Sequence, residues 1–290
     1  MPVRGASSHP ETEPSTVNGF RTVRPPWPYF DDARGFFLQA SLPRAVDQSG
    51  DPARAISRFP EPPASPDRKK WAAYFWIHAR QGSGPESRLQ DKQGFLIGNG
   101  QYGGSQAGAI LSWRLFDEPV PEVSLYGRLS AALDPVSQGE LALGTRIRPL
   151  RNVPLAVHGE QRFDAVSGGV TGTAFFATGG SGPDLVVERF ALETYAQAGY
   201  VLGRNETYFF DGSATVQRPI ADFAGQRLAV GAGLWTGGQR GIRRLDVGPR
   251  ASLDLPLGGL PTRVAIDGRV RVAGNARPGS GAALTVSTSF

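Results

Sequence analysis

The chain has 290 residues, no cysteine, and 31 Lys plus Arg against 26 Asp plus Glu. The missing cysteines exclude a disulfide framework and any thiolate metal centre. The charge excess is spread along the chain, with lysine only at Lys69, Lys70 and Lys92, so the concentrated patch of a nucleic-acid binder is not expected.

No apolar run reaches the roughly eighteen residues of a transmembrane helix. The 38 glycines suit the turns and bends of an all-β chain. Residues 1–70 hold half of the 24 prolines, mixed with Ser, Asp, Glu and Arg. Pieces such as Arg24-Pro25-Pro26-Trp27-Pro28 continue neither a helix nor a ladder, so a disordered N-terminal arm is expected here. Its first ten residues, MPVRGASSHP, lack the apolar segment of a secretory leader. A mature or truncated form, a misplaced start, or a chain outside the outer membrane all stay open.

From Trp71 the pattern alternates. Trp71, Ala73, Phe75, Ile77 and Ala79 share one face, and Tyr74, Trp76, His78 and Arg80 the other. After a glycine-rich connection from Gln81 to about Tyr102, further alternating stretches follow at regular spacing. Ala107 to Leu115 is ended by Asp117-Glu118-Pro119, and Val123 to Leu133 by Asp134-Pro135. Leu141 to Ile147 and Val153 to Val157 flank Arg151-Asn152. A weaker strand is expected over Val170 to Thr178, with a loop from Gly179 to Pro183. Phe190 to Leu202 and Tyr208 to Val216 flank a hairpin turn. Leu228 to Leu234, Leu245 to Leu255 and Val264 to Val272 come next. The last stretch, Ala282 to Phe290, alternates to the final aromatic residue.

Twelve strands result, most of ten to fourteen residues. A tilted membrane-spanning strand needs about nine to eleven. Each stretch has one apolar or small face and one charged face. The expected fold is therefore all-β: a twelve-stranded antiparallel transmembrane β-barrel over 71–290, behind the disordered arm of 1–70. Trp71, Trp113, Tyr200, Tyr208 and Trp235 are candidates for the interface girdles. The C-terminal strand must pair with the strand from Trp71 to close the barrel.

The segments Tyr102-Gly103-Gly104-Ser105-Gln106-Ala107-Gly108, Arg244-Leu245-Asp246-Val247-Gly248-Pro249 and Arg277-Pro278-Gly279-Ser280-Gly281 resemble C-terminal β-barrel regions of alphaproteobacterial outer-membrane proteins. More loosely, they are similar to the barrels of exopolysaccharide (cellulose-type) secretion and of phage adsorption. The resemblance implies outer-membrane lipid as surroundings. It also implies a periplasmic helical repeat array ahead of the barrel, and no such repeat is visible in this chain. The arm is expected in the periplasm, and the barrel-assembly machinery is expected to engage the strand ending at Phe290.

The charged face carries the chemistry. Arg128, Arg146, Arg148, Arg162, Arg244, Arg250, Arg263, Arg269 and Arg271 share it with Glu122, Glu140, Glu160, Glu193, Asp211, Asp246, Asp254 and Asp267. Such a balanced set could fill a lumen with ion pairs. It could equally line a narrow pore in which Arg263, Arg269 and Arg271 contact an anionic sugar, since a guanidinium fork matches a carboxylate. His158 and Glu160 stand two residues apart on that face. Outer-membrane phospholipase A, also twelve-stranded, has a Ser two positions after its His, on the lipid side. Here that position is Glu160 and no nucleophile is present, so a membrane-embedded hydrolase is the least favoured reading. No cofactor or metal motif appears. The expected function is a channel or export conduit, with polysaccharide or anionic sugars as cargo. The alternative is a structural or adsorption-receptor barrel with a plugged lumen.

Overall fold

A computed structural model describes residues 70–82, 103–116, 121–133, 139–150, 153–187, 189–203 and 206–289. Residues 1–69, which make up nearly all of the expected arm, lie outside the described residues, as does Phe290.

The described chain forms twelve strands: β1 (Trp71–Arg80), β2 (Gln106–Phe116), β3 (Glu122–Ala132), β4 (Gly139–Arg148), β5 (Leu155–Asp164), β6 (Val170–Val187), β7 (Phe190–Leu202), β8 (Thr207–Phe223), β9 (Gln226–Gln239), β10 (Ile242–Leu257), β11 (Leu260–Gly274) and β12 (Gly281–Ser289). Each pairs antiparallel with its sequence neighbours, and β12 pairs with β1 to close the barrel. The closing ladder runs from Tyr74 opposite Ser289 to Arg80 opposite Ala283. Closure satisfies the backbone along every strand and leaves no open edge, as hydrocarbon demands.

Side chains alternate across the wall because successive Cβ atoms leave a strand on opposite faces. Leu111, Leu143, Val157, Ile266 and Val270 face outward and are exposed. Arg128, Glu160, Asp246 and Asp267 face inward and are buried. This is a soluble protein turned inside out. A contiguous apolar band around the whole circumference belongs in lipid, not in water.

Two glycine-dependent features shape the wall. Gly258 and Gly259, at φ 60° and 82°, make the two-residue turn between β10 and β11, where positive φ matches the strand twist. Gly108 in β2 and Gly144 in β4 let inward rings lie against the backbone. A Cβ at Gly108 would stand 2.2 Å from the Trp76 ring, and one at Gly144 would stand 2.6 Å from Tyr126.

The expected strand count holds, but two local expectations do not. The loop expected at Gly179 to Pro183 is part of β6, which continues to Val187 with irregular pairing between Ser181 and Asp184. The backbone stays in the ladder because Gly180, without a Cβ, can sit against the Thr194 carbonyl of β7. Trp235 is not a girdle residue. β9 runs on to Gln239, which leaves Trp235 mid-strand, opposite Ser213 and Asp246, and buried on the inner face. Trp71 and Trp113 do face outward, stacked at 5.3 Å between ring centres. Tyr200 and Tyr208 pair across β7 and β8 near their far ends, with Tyr208 exposed.

The two rims differ. At the rim of the chain termini the connections are 117–121, 149–154, 188–189, 224–225 and 258–259. At the opposite rim they are 81–105, 133–138, 165–169, 203–206, 240–241 and 275–280. The longest connection therefore lies opposite the termini.

Candidate functional site: the barrel lumen

Among the described residues, the ion pairs of the lumen fall into two neighbouring groups. The first joins β3, β4 and β5. Glu160 accepts hydrogen bonds from Arg128 (2.8 Å), Arg162 (2.7 Å) and the Tyr126 hydroxyl (3.0 Å). Arg128 also reaches Glu140 at 2.7 Å, and Arg146 reaches Glu122 at 2.7 Å. Glu160 is 2% exposed and Arg128 2%, so the group is essentially dry. Dry charges are tolerable only when paired and hydrogen-bonded, and here each carboxylate oxygen of Glu160 has a donor.

The second draws on β7, β9, β10, β11 and β1. Asp246 takes Arg244 from its own strand at 2.8 Å and Arg80 from β1 at 2.9 Å. Asp267 bridges Arg250 (2.8 Å) and Arg269 (3.0 Å). The Arg269 guanidinium lies 4.4 Å above the Trp235 ring, a cation–π contact that explains the inward turn of that indole. Arg263 holds Asp254 through Nε and Nη2, the latter at 2.6 Å, and its Nη1 reaches Glu193 of β7 at 3.3 Å. Since β11 and β7 are separated along the wall by β10, β9 and β8, this last pair crosses the interior. The Arg162 guanidinium of β5 makes a second crossing, 5.3 Å from the Phe209 ring of β8.

An apolar layer accompanies the ions. Tyr74 and Trp76 of β1, Ile110 of β2, Tyr126 of β3, Ala174 and Phe176 of β6, Val201 of β7 and Phe209 of β8 form one buried cluster. His158 stacks on Phe176 with 4.5 Å between ring centres and shares a 2.9 Å hydrogen bond with the Thr178 hydroxyl. His158 and Glu160 thus bond to different neighbours, one to Thr178 and the other to cations.

Of the residues singled out from sequence, Arg128 and Glu160 meet directly, as do Arg244 with Asp246, and Arg250 and Arg269 with Asp267. Arg263, Arg269 and Arg271 do not converge on a common opening. Arg263 is taken by Asp254 and Glu193, Arg269 by Asp267 and Trp235, and Arg271 by the carbonyl of Ala276 in the 275–280 connection. Arg146 and Arg148 line a small recess at the terminal rim, about 30 Å³, together with Ala156, Thr178 and Tyr195. Sequence reading left out Arg80 and Tyr126 as ion partners, and the aromatic layer as a whole. Their inward parity was visible, but nothing local to a strand marks a partner two or three strands away.

No protein-family model matches the chain, and no curated protein matches it. Among solved structures, the chain is similar to the β domain of the Bordetella autotransporter BrkA, with a TM-score of 0.36 and 13% identity over 77% of this chain and 99% of that one. It is also similar to a loop-deletion mutant of OmpT, an outer membrane protein of Vibrio cholerae, with a TM-score of 0.29 and 11% identity over 76% of this chain and 97% of that one.

Proposed function

We propose that the chain is an outer-membrane barrel sealed by its own side chains, a membrane-held scaffold or adsorption receptor that presents its connections at the cell surface. The observation that carries this reading is the pairing of lumen charges across the interior, with Arg263 of β11 on Glu193 of β7. An export conduit for polysaccharide or anionic sugars would need that pair and the dry Glu160 network to part. The lipid setting is supported by the apolar outer band and the ionised inner face. Outer-membrane barrels keep short turns on the periplasmic side and longer loops outside. The 81–105 connection lies opposite the termini, which supports a periplasmic position for them and for the arm. The C-terminal strand, paired with β1, is then the segment that assembly machinery would meet.

Planar-bilayer recording tests the sealed lumen. Purified barrel inserted into a neutral membrane is expected to give no steady single-channel current. A reproducible, stable conductance step would refute the reading in favour of the open conduit.

A further inference from the structure

One sector of the rim opposite the termini, where β9 meets β10 and β11 meets β12, is rich in arginine. The turn and strand start at 239–244 and the connection at 275–281 read QRGIRR and NARPGSG, with four arginines and no carboxylate. Arg240, Arg243 and Arg277 are exposed there. Just below them, Arg80 and Arg244 share the single carboxylate of Asp246.

These arginines stand on an ordered platform. The Asn275 side chain donates to the Gly241 carbonyl at 2.8 Å and accepts from the Arg243 amide at 3.1 Å. The amides of Asn275 and Ala276 both donate to the Arg243 carbonyl. Arg80 donates to the Gly279 carbonyl at 2.9 Å, which ties β1 to the same platform. Immediately beneath it, Val270 and Val272 continue the outward apolar band. A cationic ledge directly above an acyl-chain surface matches one kind of molecule, with phosphate above and hydrocarbon below.

We propose that this ledge docks the phosphate groups of a phosphorylated glycolipid in the outer leaflet, with its acyl chains on the β9–β11 wall. Guanidinium forks bind phosphate oxygens in pairs, and the bonds of Asn275 fix the Arg243 backbone before the lipid arrives. The inference rests on the outer-membrane reading above.

The test uses the full chain in nanodiscs of neutral phosphatidylcholine, titrated with bis-phosphorylated lipid A and, separately, with the same lipid enzymatically stripped of phosphate. The intact lipid is expected to bind and the stripped one to bind far more weakly. The variant R240Q/R243Q/R277Q is expected to lose affinity on the order of a hundredfold, from about tenfold per 1.4 kcal/mol and the usual worth of a basic residue at a charged membrane surface. The control R189Q/R218Q, exposed arginines of the terminal half of the barrel, is expected to bind as the parent does. Equal affinity of parent and triple variant, with the barrel inserted, overturns the docking site alone. Competition by inorganic phosphate at comparable concentration, or tight binding of a lipid-free acidic polysaccharide, overturns the lipid as occupant. Failure of the chain to insert into any bilayer overturns the membrane reading and the docking site with it.

Discussion

Replacing Glu160 by glutamine removes one charge and almost no volume, so it isolates the electrostatics of the first lumen network. In the parent, Glu160 is the shared acceptor of Arg128, Arg162 and Tyr126, with its side chain fully buried. The variant leaves two guanidinium groups facing Glu140 alone, at 2.7 Å from Arg128 and 3.9 Å from Arg162. Stripping one partner from a buried ion pair costs about 3–5 kcal/mol. Because Glu140 still covers Arg128, the low end applies, and a loss of about 3 kcal/mol is expected. Urea unfolding of the barrel in lipid vesicles, followed by tryptophan fluorescence, measures it. The double variant Glu160→Gln/Arg162→Met is expected to lose less than the two single variants together, because the second change removes an orphaned cation. Added salt should leave the difference between parent and variant unmoved, since screening acts on wet charges. A loss below about 1 kcal/mol that shrinks further in salt would mean that water fills the site. The dry, paired lumen would then be wrong.

Three other expectations concern the wall and its filling. Gly248→Ala places a Cβ 1.7 Å from the Gly268 carbonyl oxygen, a backbone clash that should abolish the compact, heat-modifiable band of a folded barrel on gels. Gly279→Ala, with open space around it, should leave that band unchanged. Brominated acyl chains should quench variants retaining only Trp71 or only Trp113, and spare those retaining only Trp76 or only Trp235, which are 2% and 4% exposed. The double truncation Trp76→Ala/Phe209→Ala, which removes two members of the buried apolar layer, should produce measurable ion conductance where the parent gives none.

The architecture was legible because alternation is a local property. A strand such as Val264 to Val272 declares its two faces without reference to any neighbour, and twelve such stretches imply a closed, even-numbered wall. The lumen was less legible, for physical reasons that particular residues illustrate. Phe175-Phe176 and Phe209-Phe210 place the same residue on both faces, so the pattern does not say that Phe176 and Phe209 belong to a buried cluster. Arg263 was marked as an inward cation, but its bond to Glu193, seventy positions earlier, depends on barrel curvature and stagger. Trp235 misled because an indole near an apparent strand end fits a girdle, whereas the strand goes on and a guanidinium covers the ring. Parity gave direction, and only closure gave partners.

Strand length carries one more consequence. β1 and β12 have ten and nine residues, while β8 to β11 have fourteen to seventeen. At about 3.3 Å per residue and a tilt near 40°, a ten-residue strand spans about 25 Å, the full height of a membrane-embedded apolar band with nothing to spare. The cylinder is therefore taller on one flank, and its lower flank, β12 and β1 to β5 at nine to eleven residues each, contains the seam where the first strand meets the last. Lipids beside that seam must shorten their reach, or the cylinder must lean, to avoid wetting apolar surface. Among the described residues the seam ladder holds seven register pairs against eight or more in every other, so it has the least backbone bonding to lose and is the natural starting line for both closing the barrel and prising it apart.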